Sequence, residues 1–450
     1  MPVTARITNF TKSHEMVRRL HDIVPGGGHT YSKGIDQFPY NSPQLIVEAK
    51  GAYCTDVDGN KFIDWAMGNR VFILGHGYPA VNDAVKDAID RGLNFTRPGI
   101  LELELAEYLL SIHNWAEMVK FGKNGSDVTT AAVKLARAYT GRKYVAVCAD
   151  HPFFSTHDWF IGSTPMDAGI PIHEKTSILK FYYNNIESVN EIFSRFPDQI
   201  AAVILEPAKN EAPMEGFLDK LREVTQRHGS VLIFDEMIAG MRFHVLGAHH
   251  IYGVTPDLAT FGKAVSNGFS FSFLLGNKDI MSLGGLYHSY PRVFLLSQTH
   301  ASETTGLAAC RATIEECLKL NVTDHVWSLG QRLVTGVQAL ARRSGVENFV
   351  RIIGFDCNPQ IICTHEDGTY SPDLHTSFHE EVIANGVLIP WTSVTWAHGD
   401  AELEVTLNAI DQACQKVSRI VSSGTPVEKT YTGPAVQPVF RKYNSHAKAD

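Results

Sequence analysis

The run Val231-Leu-Ile-Phe-Asp235-Glu236 decides how this chain is read. Four apolar residues, three of them β-branched or aromatic, predict a strand buried on both faces, and that strand ends at once in two carboxylates. Open α/β sheets bind ligands just beyond such strand ends. A lysine follows downstream at Phe261-Gly-Lys263. An aspartate so placed can hold a proton on a pyridine nitrogen, and a lysine can condense with an aldehyde; together they suit pyridoxal phosphate (PLP). Each half also has a plain structural reading: strands end in Asp-Glu in many α/β proteins, and Gly-Lys after a strand also serves as a surface turn.

The totals set the frame. With 450 residues and 44% hydrophobic content the chain can bury a large core, and two domains are expected because single cores stop growing near roughly 250 to 300 residues. A formal charge of −8 and a pI near 6.2 leave no basic footprint for nucleic acid or an anionic membrane surface, and neither is expected as a partner. Nowhere do about 18 apolar residues run together, and the opening Met1-Pro-Val-Thr-Ala-Arg-Ile-Thr-Asn-Phe lacks a signal-peptide core, so a cytoplasmic location is expected. Cysteines 54, 148, 310, 317, 357, 363 and 414 are odd in number, spread out and set in apolar runs, as reduced core thiols are. No CxxC pair supports zinc, and His244, His249 and His250 lack a carboxylate pair at ligand spacing, so no metal is expected.

In chain order, a helical stretch at 16–23 is broken by Pro25-Gly-Gly-Gly28, and strands at 45–49, 52–56 and 61–65 form a small meander with a turn at Asp58-Gly59. Helices at 80–91 and 102–113 open a larger unit. Its strands are read at 144–148, 201–205, 231–234, 271–276 and 293–297, alternating with helical stretches, which predicts a mostly parallel sheet with helices on both faces. Helices at 303–320 and 324–343, strands at 349–353 and 360–363, and helices at 376–386 and 402–421 then give a smaller α+β domain. The expected organisation is an N-terminal segment, 1–68, belonging to the small domain; a large domain, 69–325; the rest of the small domain, 326–422; and a Ser/Gly/Pro-rich tail, 423–450, either flexible or draped over a partner subunit.

Three further features gather at strand ends. Lys123-Asn-Gly-Ser126-Asp127 leads into apolar positions 128, 131, 132, 135, 136 and 139, an amphipathic helix capped by Ser126 or Asp127 and stopped by Gly141. Gly125 and Ser126 at its N-terminus can grip a phosphate dianion, although the pattern also serves as an ordinary cap. Phe153 and Phe154 follow the 144–148 strand, where a flat heterocycle could stack or where they could be plain core. Glu206 ends the 201–205 strand at the same edge.

These motifs resemble those of the class III, fold-type I PLP-dependent aminotransferases, most closely the branch similar to glutamate-1-semialdehyde aminomutase. The resemblance runs through Gly51-Ala-Tyr-Cys-Thr-Asp56-Val-Asp58-Gly-Asn60, Leu74-Gly-His76-Gly-Tyr-Pro79, Asn124-Gly-Ser126, Leu135-Ala-Arg137-Ala-Tyr-Thr-Gly-Arg142, Glu206-Pro207, Asp235-Glu236-Met237, Gly240-Met-Arg242, Gly262-Lys263 and Thr299 ahead of Leu307-Ala-Ala309. It implies that Lys263 carries PLP covalently and then shuttles the substrate's α-proton. It implies that Asp235 keeps the ring nitrogen protonated, that Gly125 and Ser126 hold the phosphate, and that Phe153 and Met237 cover the two ring faces. Thr299 matches a threonine that reaches the phosphate of the neighbouring subunit, so a homodimer with shared active sites is implied.

Departures from the family pattern carry information. Phe153-Phe-Ser155 stands for the usual Tyr-His-Gly and Met237 for the usual valine. Lys33 stands where the aminomutase has the arginine that binds substrate carboxylate, and lysine cannot form the two-pronged guanidinium fork. With His29, Tyr31 and Glu206, Lys33 is expected to bind substrate. Thr299-His-Ala-Ser-Glu303-Thr resembles a sub-branch that aminates sugar-like carbonyls. The expected reaction is therefore ping-pong amino transfer from a small-molecule donor, L-glutamate, to a polyhydroxylated aldehyde or ketone, in amino sugar biosynthesis. An intramolecular aminomutase or racemase is the alternative, and a non-catalytic binding protein on the same scaffold a remote one.

Overall fold

The computed structural model describes residues 6–444, and the chain divides into two compact units. The first takes the chain up to Tyr78 and again Leu320–Val439; the second takes Pro79–Lys319 and the chain from Phe440 on. In chain order the strands are β1 Ile46–Lys50, β2 Tyr53–Asp56 and β3 Lys61–Asp64, then β4 Met118–Gly122, β5 Tyr144–Cys148, β6 Ile178–Phe181, β7 Ile200–Leu205, β8 Val231–Asp235, β9 Leu258–Phe261 and β10 Ser272–Gly276, and finally β11 Val350–Phe355, β12 Asn358–Cys363 and β13 Val387–Leu388.

The second unit is a fold-type I sheet of seven strands in the order β4-β10-β9-β8-β7-β5-β6, parallel except where β10 runs antiparallel to both β4 and β9. Alternation along the central strands sorts side chains to two faces. Val231 and Ile233 of β8, Ala202 and Ile204 of β7, and Val145 and Val147 of β5 pack with the helix Gly125–Thr140. Leu232, Phe234, Val203, Leu205, Ala146 and Cys148 pack on the other side with the helices Ile186–Arg195 and Phe217–Arg227. Val231 to Phe234 are all 2% exposed or less, and each such side chain contributes on the order of 1.5–3 kcal/mol by leaving water. This is why the deciding run reads as continuously apolar.

Residues 293–297, expected as a strand, form none. β10 has β4 and β9 as its two ladder partners, and the segment pairs with no strand of the sheet. Its apolar side chains are satisfied by packing instead: Leu295 is buried in the core on the Gly125–Thr140 face, Val293 and Leu296 lean on it, and Phe294 is exposed.

The first unit holds a sheet in the order β1-β2-β3-β13, with β3 and β13 parallel, and a separate β11-β12 hairpin. Residues 431–436 of the tail are hydrogen-bonded within this unit. Tyr431 donates its hydroxyl to Asp373, the Thr432 amide bonds Glu380, and the Val436 amide bonds the Thr376 hydroxyl at 2.9 Å. The last six residues of the expected tail, and the first five of the N-terminal segment, lie outside the described residues. All seven cysteines are buried. Among the described residues no helix is long and apolar enough to cross a membrane.

Candidate active site

Strand β8 delivers Asp235 to the carboxyl edge of the sheet, 3% exposed, on the face covered by the Gly125–Thr140 helix. One carboxylate oxygen, Oδ1, accepts the Met237 amide at 2.9 Å. Burial, and then the neighbouring Glu206 carboxylate, push the Asp235 carboxyl up to about 7; the Met237 N–H, Lys263 and Lys209 oppose them. Its neighbour Glu236 faces elsewhere, accepting the Ala248 and His249 amides and the His249 ring at 2.9 Å each.

Lys263 begins a short 3-10 turn, Lys263–Ser266, directly after β9 and Gly262. Its backbone is left-handed, φ 50°, a conformation that costs a non-glycine residue about 1–3 kcal/mol and persists only where the surroundings enforce it. Strand register sets Thr260 beside Asp235, so Lys263 leaves the sheet one strand away from the aspartate.

The Gly125–Thr140 helix begins earlier than the apolar spacing predicts. Asn124 is its N-cap, and the Asp127 carboxylate accepts the Asn124 amide at 2.8 Å and the Lys123 amide at 3.2 Å. The first-turn amides of Gly125 and Ser126 precede any intrahelical bond, which leaves them as donors for an anion. At the other end Gly141 closes the helix at φ 67°.

Met237 joins these parts. A Cβ built on Gly125 would lie 3.0 Å from the Met237 sulphur, and one on Gly262 only 2.7 Å from it. The phosphate-type turn, the aspartate strand and the lysine turn therefore meet around one thioether. Phe153, Glu206 and Asp235 line a common small cavity with His151 and Phe160. The Phe153 ring lies on Phe160, centroids 3.6 Å apart and planes 12° from parallel, and the Thr156 amide ties this loop to the Ser126 hydroxyl at 3.1 Å.

Thr299 is exposed on a loop fixed by Asn94, which donates to the Thr299 carbonyl at 2.8 Å, and by the Lys123–Glu303 ion pair at 3.2 Å. His29, Tyr31 and Lys33 belong to the first unit, where all three are exposed on turns after the helix Thr11–Ile23. Sequence reading assigned nothing to Lys209 or His151. Lys209 is paired with Glu206 at 2.7 Å, and the i, i+3 spacing after a strand end was the available signal.

The residues suit PLP by their chemistry. A buried carboxylate for a pyridinium, a strand-end lysine for an aldehyde, a helix N-terminus for a phosphate and two glycines where a Cβ would collide are gathered on one edge of one sheet.

Comparison with known proteins agrees. The family model described as aminotransferase class-III matches residues 37–421. The chain is 30% identical over 431 residues to the glutamate-1-semialdehyde 2,1-aminomutase of Thermoplasma volcanium, covering 89% of this chain and 98% of that protein. Among solved structures it is similar to the FumI protein of Sphingopyxis sp. MTA144 in its PLP internal aldimine form, with TM-score 0.83, 25% identity and coverage of 92% and 98% of the two chains. It is also similar to an omega-transaminase from Sphaerobacter thermophilus, with TM-score 0.81, 25% identity and coverage of 90% and 98%.

Proposed function

The chain belongs to the class-III aminotransferases, PLP-dependent transaminases, and from that premise we propose that it moves an amino group from L-glutamate to a sugar-like aldehyde or ketone by a ping-pong sequence. PLP supplies the electron sink and the temporary amine carrier. The Lys263 amine holds the cofactor and then moves a proton at the substrate α-carbon, for which it must be neutral. Asp235 holds the proton on the ring nitrogen. The amides of Gly125 and Ser126 orient the phosphate, while Met237 and Phe153 flank the ring and exclude water.

The observation that carries the acceptor assignment is the identity of residue 33. Lysine offers a point charge and three donors rather than a carboxylate-matching fork, and with His29 and Tyr31 it makes a set suited to hydroxyl groups. Thr299, exposed on its loop, is assigned to the phosphate of a second copy, which makes the functional unit a homodimer working in the cytoplasm.

An intramolecular aminomutase is the second reading, favoured by the 30% identical relative. Glutamate alone separates the two: a transaminase releases the keto acid and leaves its cofactor aminated, whereas an aminomutase releases none. The aminated enzyme, offered a panel of carbonyl compounds, is expected to regain its cofactor absorbance with polyhydroxylated aldehydes or ring ketones. Recovery with simple keto acids and none of the polyols would refute the sugar assignment.

A further inference from the structure

Beneath the assigned cofactor residues lies a charge pair that no step above uses. Glu206 leaves β7 with a carboxylate 3% exposed, and neither oxygen receives a hydrogen bond among the described residues. The Lys209 ammonium sits 2.7 Å from Oε1, off the hydrogen-bonding line, and donates to the Pro152 carbonyl at 3.0 Å; the contact with Glu206 is thus Coulombic. Parallel register pairs Leu205 with Phe234, so the next residues, Glu206 and Asp235, leave adjacent strands side by side with their backbones roughly 4.8 Å apart, and both line the same small cavity. Two buried carboxylates so close do not both stay ionised without a countercharge.

We propose that Lys209 is a positioning residue whose ammonium neutralises Glu206, so that the adjacent Asp235 keeps its own negative charge for the cofactor's ring nitrogen. The inference rests on the assignment of Asp235 made above and gives Glu206 a place in the cofactor floor instead of a substrate contact.

Every charged neighbour of Asp235 bears on this. From the turn after β9 comes Lys263, but its amine has to be neutral to move a proton, so it is no permanent countercharge. From the loop after β5 come Asp150, which accepts the Tyr183 amide at 2.8 Å, and His151, which burial holds neutral by lowering it to about 4. Glu236 is turned away into His249. Lys209, on the turn after β7, is the cation that meets Glu206, and its side chain is only 16% exposed, so solvent screens it little.

The test uses the holoenzymes of K209M, E206Q, K209M/E206Q and D235N, with two readouts: the acid limb of the kcat/KM pH profile and the PLP dissociation constant. Removing the ammonium should move the acid limb of K209M upward by about one pH unit and weaken PLP binding roughly tenfold at neutral pH, the size of a single close charge. E206Q should move the limb downward. The double variant, which removes both charges, should return both readouts to within about threefold of the parent.

An unmoved limb in E206Q, or a double variant as impaired as K209M, would make the pair a packing feature and overturn the proposal. If D235N is crippled while K209M matches the parent, this inference alone fails. If D235N binds PLP and turns over like the parent, the assignment of Asp235 fails first.

Discussion

Substituting Gly262 by alanine tests whether the three site elements are held together through Met237. Gly262 has an extended backbone, φ −173°, that alanine adopts freely, so any effect comes from the added methyl group. That methyl would meet the Met237 sulphur at 2.7 Å, its methyl carbon at 3.3 Å and the Ser272 Cβ at 3.4 Å. Ordinary contact begins near 3.4 Å, so the sulphur has to move by more than half an ångström. The helix N-terminus lies on another side of the same thioether, where a Cβ built on Gly125 would also come within 3.0 Å of the sulphur. Met237 is assigned to one face of the cofactor ring, so displacing its side chain disturbs the cofactor site. Overpacking of this kind costs about 1–3 kcal/mol, and if that cost falls on the bound state, PLP affinity drops roughly 5-fold to 150-fold. Titration of the cofactor-free protein with PLP, followed by absorbance, measures it. G262A/M237V, which removes the sulphur, is expected to recover most of the loss. A G262A protein binding PLP within twofold of the parent, or a double variant no better than G262A, would refute the reasoning.

Borohydride reduction of the holoenzyme followed by peptide mapping should place the cofactor label on the peptide containing Lys263, and K263A should carry none; a label on any other lysine contradicts the site. Acid should destabilise the fold through buried imidazoles. Burial lowers His151, His375 and His398 to about 4 each and His113 to about 3, below the ordinary 6.5, so the unfolded chain takes up protons first. Stability is then intact above pH 6.5 and falls as pH drops toward 4, each histidine costing on the order of 2–3 kcal/mol at the lower end. Asp235 acts with the opposite sign, since its raised value favours the protonated folded form as pH falls through about 7, but the buried histidines, with His379 lowered as well, outnumber it. Melting temperature measured across a buffer series checks this, and a flat profile between pH 7 and 4.5 would contradict it.

Much of the fold was legible because its signals are local. The central strands announce themselves as apolar runs, since both faces of a parallel sheet are covered and no position needs to be polar. The Gly125–Thr140 helix follows from its spacing and its terminal glycine. Strands β4, β6 and β9 were not read. Met-Val-Lys-Phe-Gly at β4 and Ile-Leu-Lys-Phe at β6 each carry an interior lysine that an edge strand tolerates, and Leu-Ala-Thr-Phe at β9 is too weakly apolar to stand out. The segment 293–297 misled for the converse reason, because an apolar run records burial and not hydrogen-bond partnership.

The sequence by itself determined the family and the cofactor, because PLP chemistry demands a carboxylate and a lysine at strand ends whose flanking motifs sit in a fixed order along the chain. Only the tertiary structure decided which groups touch. The meeting of Gly125 and Gly262 on the Met237 sulphur and the confinement of Glu206 and Lys209 beside Asp235 join separate stretches of the chain, and the left-handed backbone of Lys263 is held by its surroundings. Strand register and helix docking set those distances to fractions of an ångström, and electrostatic energy in a buried site depends on distance and on exclusion of water, neither of which is written in any single stretch of residues.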